Sequence, residues 1–166
     1  DNSTLANVAK TAMAANPQSP APYIWQGISE ANQKLYDKAE SDFNQALKLD
    51  PKSWLAQLQL GQLSLVQHKI PEGKALIEQS LTGNPNDAHA LGLIVTAMAY
   101  EKATPKAIIQ RVQEQIAKAP QNAQMYDLLA GLQLHSGDNA GALASAQKAM
   151  QINPNDPSAT MSYSRA

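Results

Sequence analysis

The chain contains no cysteine. A disulfide framework and a thiolate metal site are therefore closed to it, and the redox state of its compartment leaves no mark on the sequence. Aromatic residues are sparse, with one Phe, two Trp and five Tyr among 166 residues. Charge is scarce as well: Asp, Glu, Lys and Arg make up 16 %, and the net charge is −1. Neither half is biased, with 7 basic against 8 acidic residues up to Gly83 and 6 against 6 beyond it. Such a chain lacks the basic stripe of a nucleic-acid binder and has no charged tail. The apolar run Ala88 to Tyr100 is 13 residues, short of the roughly 20 that span a bilayer. Catalytic constellations are missing too. There is no Gly-rich phosphate loop, no Gly-x-Ser-x-Gly elbow and no His-Glu-x-x-His helix. His68, His89 and His135 are scattered, whereas metal ligands must converge to about 2 Å from one ion. The expectation is a protein that is not an enzyme and has no metal and no cofactor. The chain starts at Asp1 rather than Met and reads as a fragment or a processed form.

Amides and small residues take the place of charge. There are 17 Gln and 11 Asn besides many Ala, which suits a helical protein with a small-residue core. The prolines reveal a repeat. Pro17, Pro51, Pro85, Pro120 and Pro154 are spaced by 34, 34, 35 and 34 residues, and a fixed period of this size is the signature of a repeat architecture. Asn84-Pro85-Asn86-Asp87 returns as Asn153-Pro154-Asn155-Asp156. Each period holds two helices. Leu55, Leu58, Leu63, Leu65 and Val66 recur at helical spacing, and His68-Lys69-Ile70-Pro71 punctuates before a second helix that Pro71 can open, since the first turn needs no N–H there. Thr104-Pro105 opens the equivalent helix one period later. Asp138 suits the N-cap of the last. No segment alternates with period two, so no strands are expected.

These residues resemble the tetratricopeptide repeat (TPR) family, a 34-residue helix pair with large residues at positions 4 and 7, small ones at 8, 20 and 27, an aromatic at 24 and Pro at 32. A unit starting at Pro20 supplies Tyr23, Gly27, Ala39, Phe43, Ala46 and Pro51. The unit from Trp54 supplies Leu60, Gly61, Gly73, Ile77, Ser80 and Pro85. The unit from Ala123 supplies Tyr126, Leu129, Ala130, Ala142, Ala146, Ala149 and Pro154. The third unit matches least well. Leu91, Ile94, Met98 and Ala107 fit a start at Ala88, with one extra residue placed between Pro105 and Pro120. Gln26 and Glu30 depart from the apolar pattern of the first unit. A rival 35-residue RNA-binding helical repeat is disfavoured by the missing positive charge.

The resemblance implies an all-α fold, a right-handed superhelical stack of antiparallel helix pairs. The expected division is residues 1–19 as the second helix of a partial leading repeat, then repeats at 20–53, 54–87, 88–122 and 123–156. Residues 157–166 would begin a trailing helix. Neither end looks like a polar cap, so the chain reads as an excerpt from a longer array whose exposed end helices favour self-association. The family also implies a concave groove lined by the first helices. Carried over position by position, that groove includes Ile24, Trp25, Ile28, Asn32, Gln59, Gln62, Tyr100, Gln124, Asp127 and His135. Leu55, Leu58, Leu65 and Leu128 lie on the same helices but suit helix–helix packing as well. Trp54 is an anchor candidate that packing between repeats would equally explain.

A groove of amides and apolar residues suits a protein or peptide partner, either extended or helical. The family's carboxylate clamp is absent: Ile24 and Ile28 stand at its first-unit positions, and the third unit has no Lys or Arg before Lys102. The expected function is a protein–protein interaction scaffold; the alternative is a structural spacer or self-association segment. The low-charge, amide-rich wording resembles bacterial cell-envelope TPR proteins; the periplasm or envelope is compatible with it, but the sequence assigns no location.

Overall fold

The structure, a computed structural model, describes residues 2–154. The trailing helix expected over 157–166 lies outside the described residues. Among those residues there are nine α-helices and no strands. They fall into two compact units, one ending at Asn84 and the other starting at Pro85. The first unit holds α1 (Asn2–Ala15), α2 (Pro20–Asn32), α3 (Tyr36–Leu49), α4 (Trp54–Val66) and α5 (Ile70–Gly83). The second holds α6 (Ala88–Tyr100), α7 (Pro105–Lys118), α8 (Ala123–His135) and α9 (Asn139–Ile152).

Small residues set the closest helix approaches in the first unit. A Cβ built on Gly27 of α2 would meet the Phe43 ring at 2.6–3.0 Å, so only glycine lets α2 close onto α3. The α4–α5 pair is tighter still. A Cβ on Gly61 would lie 2.9 Å from the Gly73 carbonyl oxygen, and one on Gly73 would lie 2.7 Å from that of Gly61. Ile24, Ala39, Phe43, Ala46, Ala56, Leu60 and Leu63 form the core between α2, α3 and α4. In the second unit Leu91, Val112, Ile116, Met125 and Leu129 do so between α6, α7 and α8. Leu58 is buried; Leu55 and Leu128 pack on these cores, and Leu65 lies against Gly73, so all four serve the packing of their own unit. Trp54 is 37 % exposed, with its Cβ beneath Gly83 of α5.

The turns repeat more faithfully than the side chains. Lys34, His68, Lys102 and Gly137 all have φ between 59° and 83°. After each, the next residue's N–H reaches back to a carbonyl in the last helical turn: Leu35 to Glu30, Lys69 to Ser64, Ala103 to Met98 and Asp138 to Gln133, each at 2.9 Å. This is the Schellman helix ending, which needs one left-handed residue. The following helices start from side-chain caps where the sequence supplies one. Ser53 accepts from the Ala56 N–H, Asp87 from Ala90, Thr104 from Ala107, Asn122 from Met125 and Asp138 from Gly141.

These turns relocate the extra residue of the third repeat. Three intra-pair turns have three residues (33–35, 67–69, 136–138), whereas the α6–α7 turn, 101–104, has four. Elsewhere the residue ending the Schellman motif is itself the N-cap; here Ala103 ends it and Thr104 caps. The extra residue therefore precedes α7, contrary to the placement between Pro105 and Pro120. The physical reason is that Pro71 is the second residue of α5 while Pro105 is the first of α7. Proline fits either place, so an unbroken 34-residue proline spacing concealed a shift of one. Consequently Ile108, not Ala107, turns inward: Ile108 is 8 % exposed and Ala107 lies at the surface.

Buried amides explain much of the Gln content. Gln115 is fully buried; its amide donates to the Pro85 carbonyl at 2.7 Å and accepts from Arg111 at 3.2 Å. Gln57 likewise donates to the Pro51 carbonyl at 2.9 Å, and Gln133 accepts from the Ser145 hydroxyl at 2.7 Å. Each satisfies a backbone or side-chain group that burial would otherwise leave costly.

Candidate functional site

In the first unit, the ends of α2 and α4 and part of α3 enclose a cleft of about 220 Å³. Helix α2 contributes Ile28, Ala31 and Asn32; α3 contributes Tyr36 and Phe43; α4 contributes Gln59, Gln62, Leu63 and Val66. Residues one helical turn apart lie on one face, which is why Ile28 pairs with Asn32 and Gln59 with Gln62. Phe43, 1 % exposed, and Leu63, 4 % exposed, are core residues that also face the cleft, whereas Val66 is 54 % exposed at its edge. None of these nine residues carries a charge.

Lys69, Glu40, Glu30 and Asp42 of this unit are engaged elsewhere. Lys69 Nζ and the Gln67 amide both donate to Glu40 Oε2 at 3.3 Å. Glu30, buried on α2, accepts from the Gln26 amide at 3.0 Å and shares a hydrogen bond with Asp42 on α3. The Asp42 carboxyl is pushed up to about 6, first by burial, then by the charge of Glu30 and the hydrogen bond to it. Glu30 Oε2 is buried with no hydrogen-bond partner, and burial beside it favours the protonated form of Asp42. The departures from apolar at Gln26 and Glu30 are thus a polar cluster inside the helix pair.

The structure brings four of the sequence-derived site residues, Ile28, Asn32, Gln59 and Gln62, around this one cleft. Trp25 is half-buried on α2 outside the lining, and Ile24, 4 % exposed, belongs to the core. Ile24 is therefore covered by its own unit and offers no surface. It belongs to the core cluster that also holds Ala39 and Phe43 of α3. Ala31, Tyr36 and Phe43 were missed. Tyr36 and Phe43 come from a second helix, and the family register draws the groove from first helices alone. In the second unit, Tyr100 is 64 % exposed at the end of α6, and His135 is exposed at the end of α8. Gln124 is exposed on α8 and Asp127 is half-buried there.

Among the described residues, no group of three or more His, Cys, Asp or Glu could hold a metal ion, and no helix is long and apolar enough to cross a membrane. The tetratricopeptide repeat family model matches residues 20–53. No curated protein sequence matches the chain. Many solved structures do match its fold. A thermophilic TPR protein of Thermus thermophilus, TTC0263, is 16 % identical over 96 % of this chain and 87 % of its own, with a TM-score of 0.70. MamA of Desulfovibrio magneticus RS-1 is 19 % identical over 94 % of this chain and 97 % of its own, at 0.62. YrrB, described as a TPR protein with an unusual peptide-binding site, is 16 % identical over 96 % of this chain and 99 % of its own, at 0.61.

Proposed function

For this chain, a tetratricopeptide-repeat protein of nine described helices, we propose the role of a non-catalytic scaffold that holds a segment of another protein against its first helices. The observation that carries the proposal is the uncharged cleft of the first unit, where Ile28, Asn32, Gln59 and Gln62 converge. Amides can hydrogen-bond a peptide backbone in either sense, and apolar residues beside them receive its side chains. A helix pair already packed presents these groups without an ordering cost on binding. The peptide-binding site described for YrrB supports the choice of a peptide segment as ligand. Trp25, Tyr100, Gln124, Asp127 and His135 are further contact candidates, each on the helix of its own unit.

Affinity capture with this chain as bait tests the proposal, against a Gln59→Arg, Gln62→Glu variant and a separate Tyr100→Ala variant. None of these positions is fully buried, and circular dichroism checks that helix content is kept. The expected result is one protein captured by the parent and lost by the double variant. Capture that survives the double variant, or recovery of the chain alone, removes the groove reading and leaves the structural or self-association reading in its place.

A further inference from the structure

Building on the reading that the first unit holds a partner segment, we infer that the cleft between α2, α3 and α4 takes one uncharged aromatic side chain of that segment. Size is the first argument. The cleft is about 220 Å³, somewhat above the ~150 Å³ of an apolar cavity that holds a benzene ring. A single ring with its methylene fits; two large side chains do not. Surface chemistry is the second. The apolar part of the lining is Ile28, Ala31, Phe43, Leu63 and Val66, with the Tyr36 ring beside them. An entering ring can meet the half-buried Tyr36 ring edge to face, an arrangement that adds to simple area burial. Aliphatic side chains fill the same space without that gain.

Charge is the third argument. No Asp, Glu, Lys, Arg or His lines the cleft. The cation just before α5, Lys69, is bonded to Glu40. A charged side chain entering here would lose water and find no counter-charge, which is unfavourable. The rim adds direction. Gln59 and Gln62 on α4 and Asn32 on α2 bring amides to the lining from two helices. A segment whose side chain points inward brings its own backbone to that rim.

The test is an amide and methyl NMR titration of the whole chain with three capped amino acids: N-acetyl-phenylalanine amide, N-acetyl-leucine amide and N-acetyl-aspartate amide. The phenylalanine probe is expected to saturate with Kd on the order of 1 mM, as suits a ligand of this size. Its shifts should centre on Ile28, Ala31, Gln59, Gln62 and Val66. The leucine probe should bind about threefold or more weaker, and the aspartate probe about tenfold or more weaker. Ala31→Leu should fill the cleft and abolish the phenylalanine shifts. Because that substitution can overpack the core, Val66→Glu is the second variant; Val66 is 54 % exposed, so the change charges the rim without entering the core. It should weaken the phenylalanine probe about tenfold. Equal binding of leucine or aspartate, unchanged binding in Val66→Glu, or shifts away from these residues would overturn the inference. The two readings fail separately. A partner lost by Gln59→Arg, Gln62→Glu but kept by both Ala31→Leu and Val66→Glu leaves the scaffold and removes the aromatic pocket. A partner kept by all three variants removes the scaffold itself.

Discussion

The Asp42 carboxyl beside Glu30 should contribute stability in mild acid that is lost toward neutral pH, the reverse of the usual carboxylate contribution. Asp42 has its carboxyl raised from 3.8 to about 6 in the folded chain. Between those values the folded chain holds a proton that the unfolded chain has released. Stability from this group is therefore complete below about pH 4 and is lost as pH rises through about 6. A rise of that size corresponds to a ceiling of about 3 kcal/mol. Asp42 is only half-buried, and solvent screening reduces the effect to about 1–2 kcal/mol. Asp42→Asn removes the ionisation and supplies an amide N–H that can donate to Glu30 in place of the shared proton. Urea unfolding of both chains, followed by circular dichroism at about pH 3.5, 5 and 7, measures the difference. Other carboxylates titrate in both proteins and cancel from it. The variant should be more stable by about 1–2 kcal/mol at pH 7, and the gap should close by pH 3.5. A variant less stable at pH 7, or a gap that does not change with pH, would refute the reasoning.

Glycines of opposite kinds should respond with opposite sign. Gly73→Ala places a methyl 2.7 Å from a backbone oxygen and should cost about 1–3 kcal/mol, despite a gain in helix propensity of about 1 kcal/mol; Gly92→Ala, with nothing within 4 Å of the new methyl, should stabilise by about 0.5–1 kcal/mol. Urea melts distinguish the two signs. His68→Gly relieves a left-handed residue at φ 61° and should raise stability by up to about 1 kcal/mol, read as a higher thermal midpoint. Gln115→Ala strands the Pro85 carbonyl and opens a void at a fully buried position; a loss of about 2–3 kcal/mol in the same urea assay is expected.

Helix pairing was legible because proline leaves few options. It fixes φ and lacks a donor, so it settles at turns and first turns, and the period follows from its spacing. The same tolerance hid the extra residue, since one proline at the first helical position and another at the second are chemically equivalent choices. Register along one helix puts Ile28 with Asn32 and Gln59 with Gln62 on shared faces, and these four line the cleft. It is silent on what a second helix contributes: Ile24 is buried in one core cluster with Ala39 and Phe43, Tyr36 lines the cleft from α3, and Asp42 reaches Glu30 across the α2–α3 pair. Single-helix periodicity carries no information about which residue of the next helix lies opposite.

The corrected turn also accounts for the short reach of the family match. With the extra residue placed before α7, equivalent inward positions of the four helix pairs hold Phe43, Ile77, Val112 and Ala146, each at most 1 % exposed within its own unit. Equivalent small-residue positions hold Ala46, Ser80, Gln115 and Ala149, each at most 2 % exposed. Burial is held constant while side-chain identity drifts, from aromatic to methyl in one set and from methyl to a long amide in the other. A family model reads identities, and only residues 20–53 keep the aromatic with its glycine and alanine partners. The fold tolerates the drift because each substitution is answered by its neighbour rather than by the whole array. Gln115 shows how. A large polar side chain stands where a methyl or hydroxymethyl suffices elsewhere, and the incoming Pro85 turn and Arg111 supply its hydrogen bonds. The backbone period at Lys34, His68, Lys102 and Gly137 persists through all four turns, because the Schellman ending depends on φ and not on which residue adopts it.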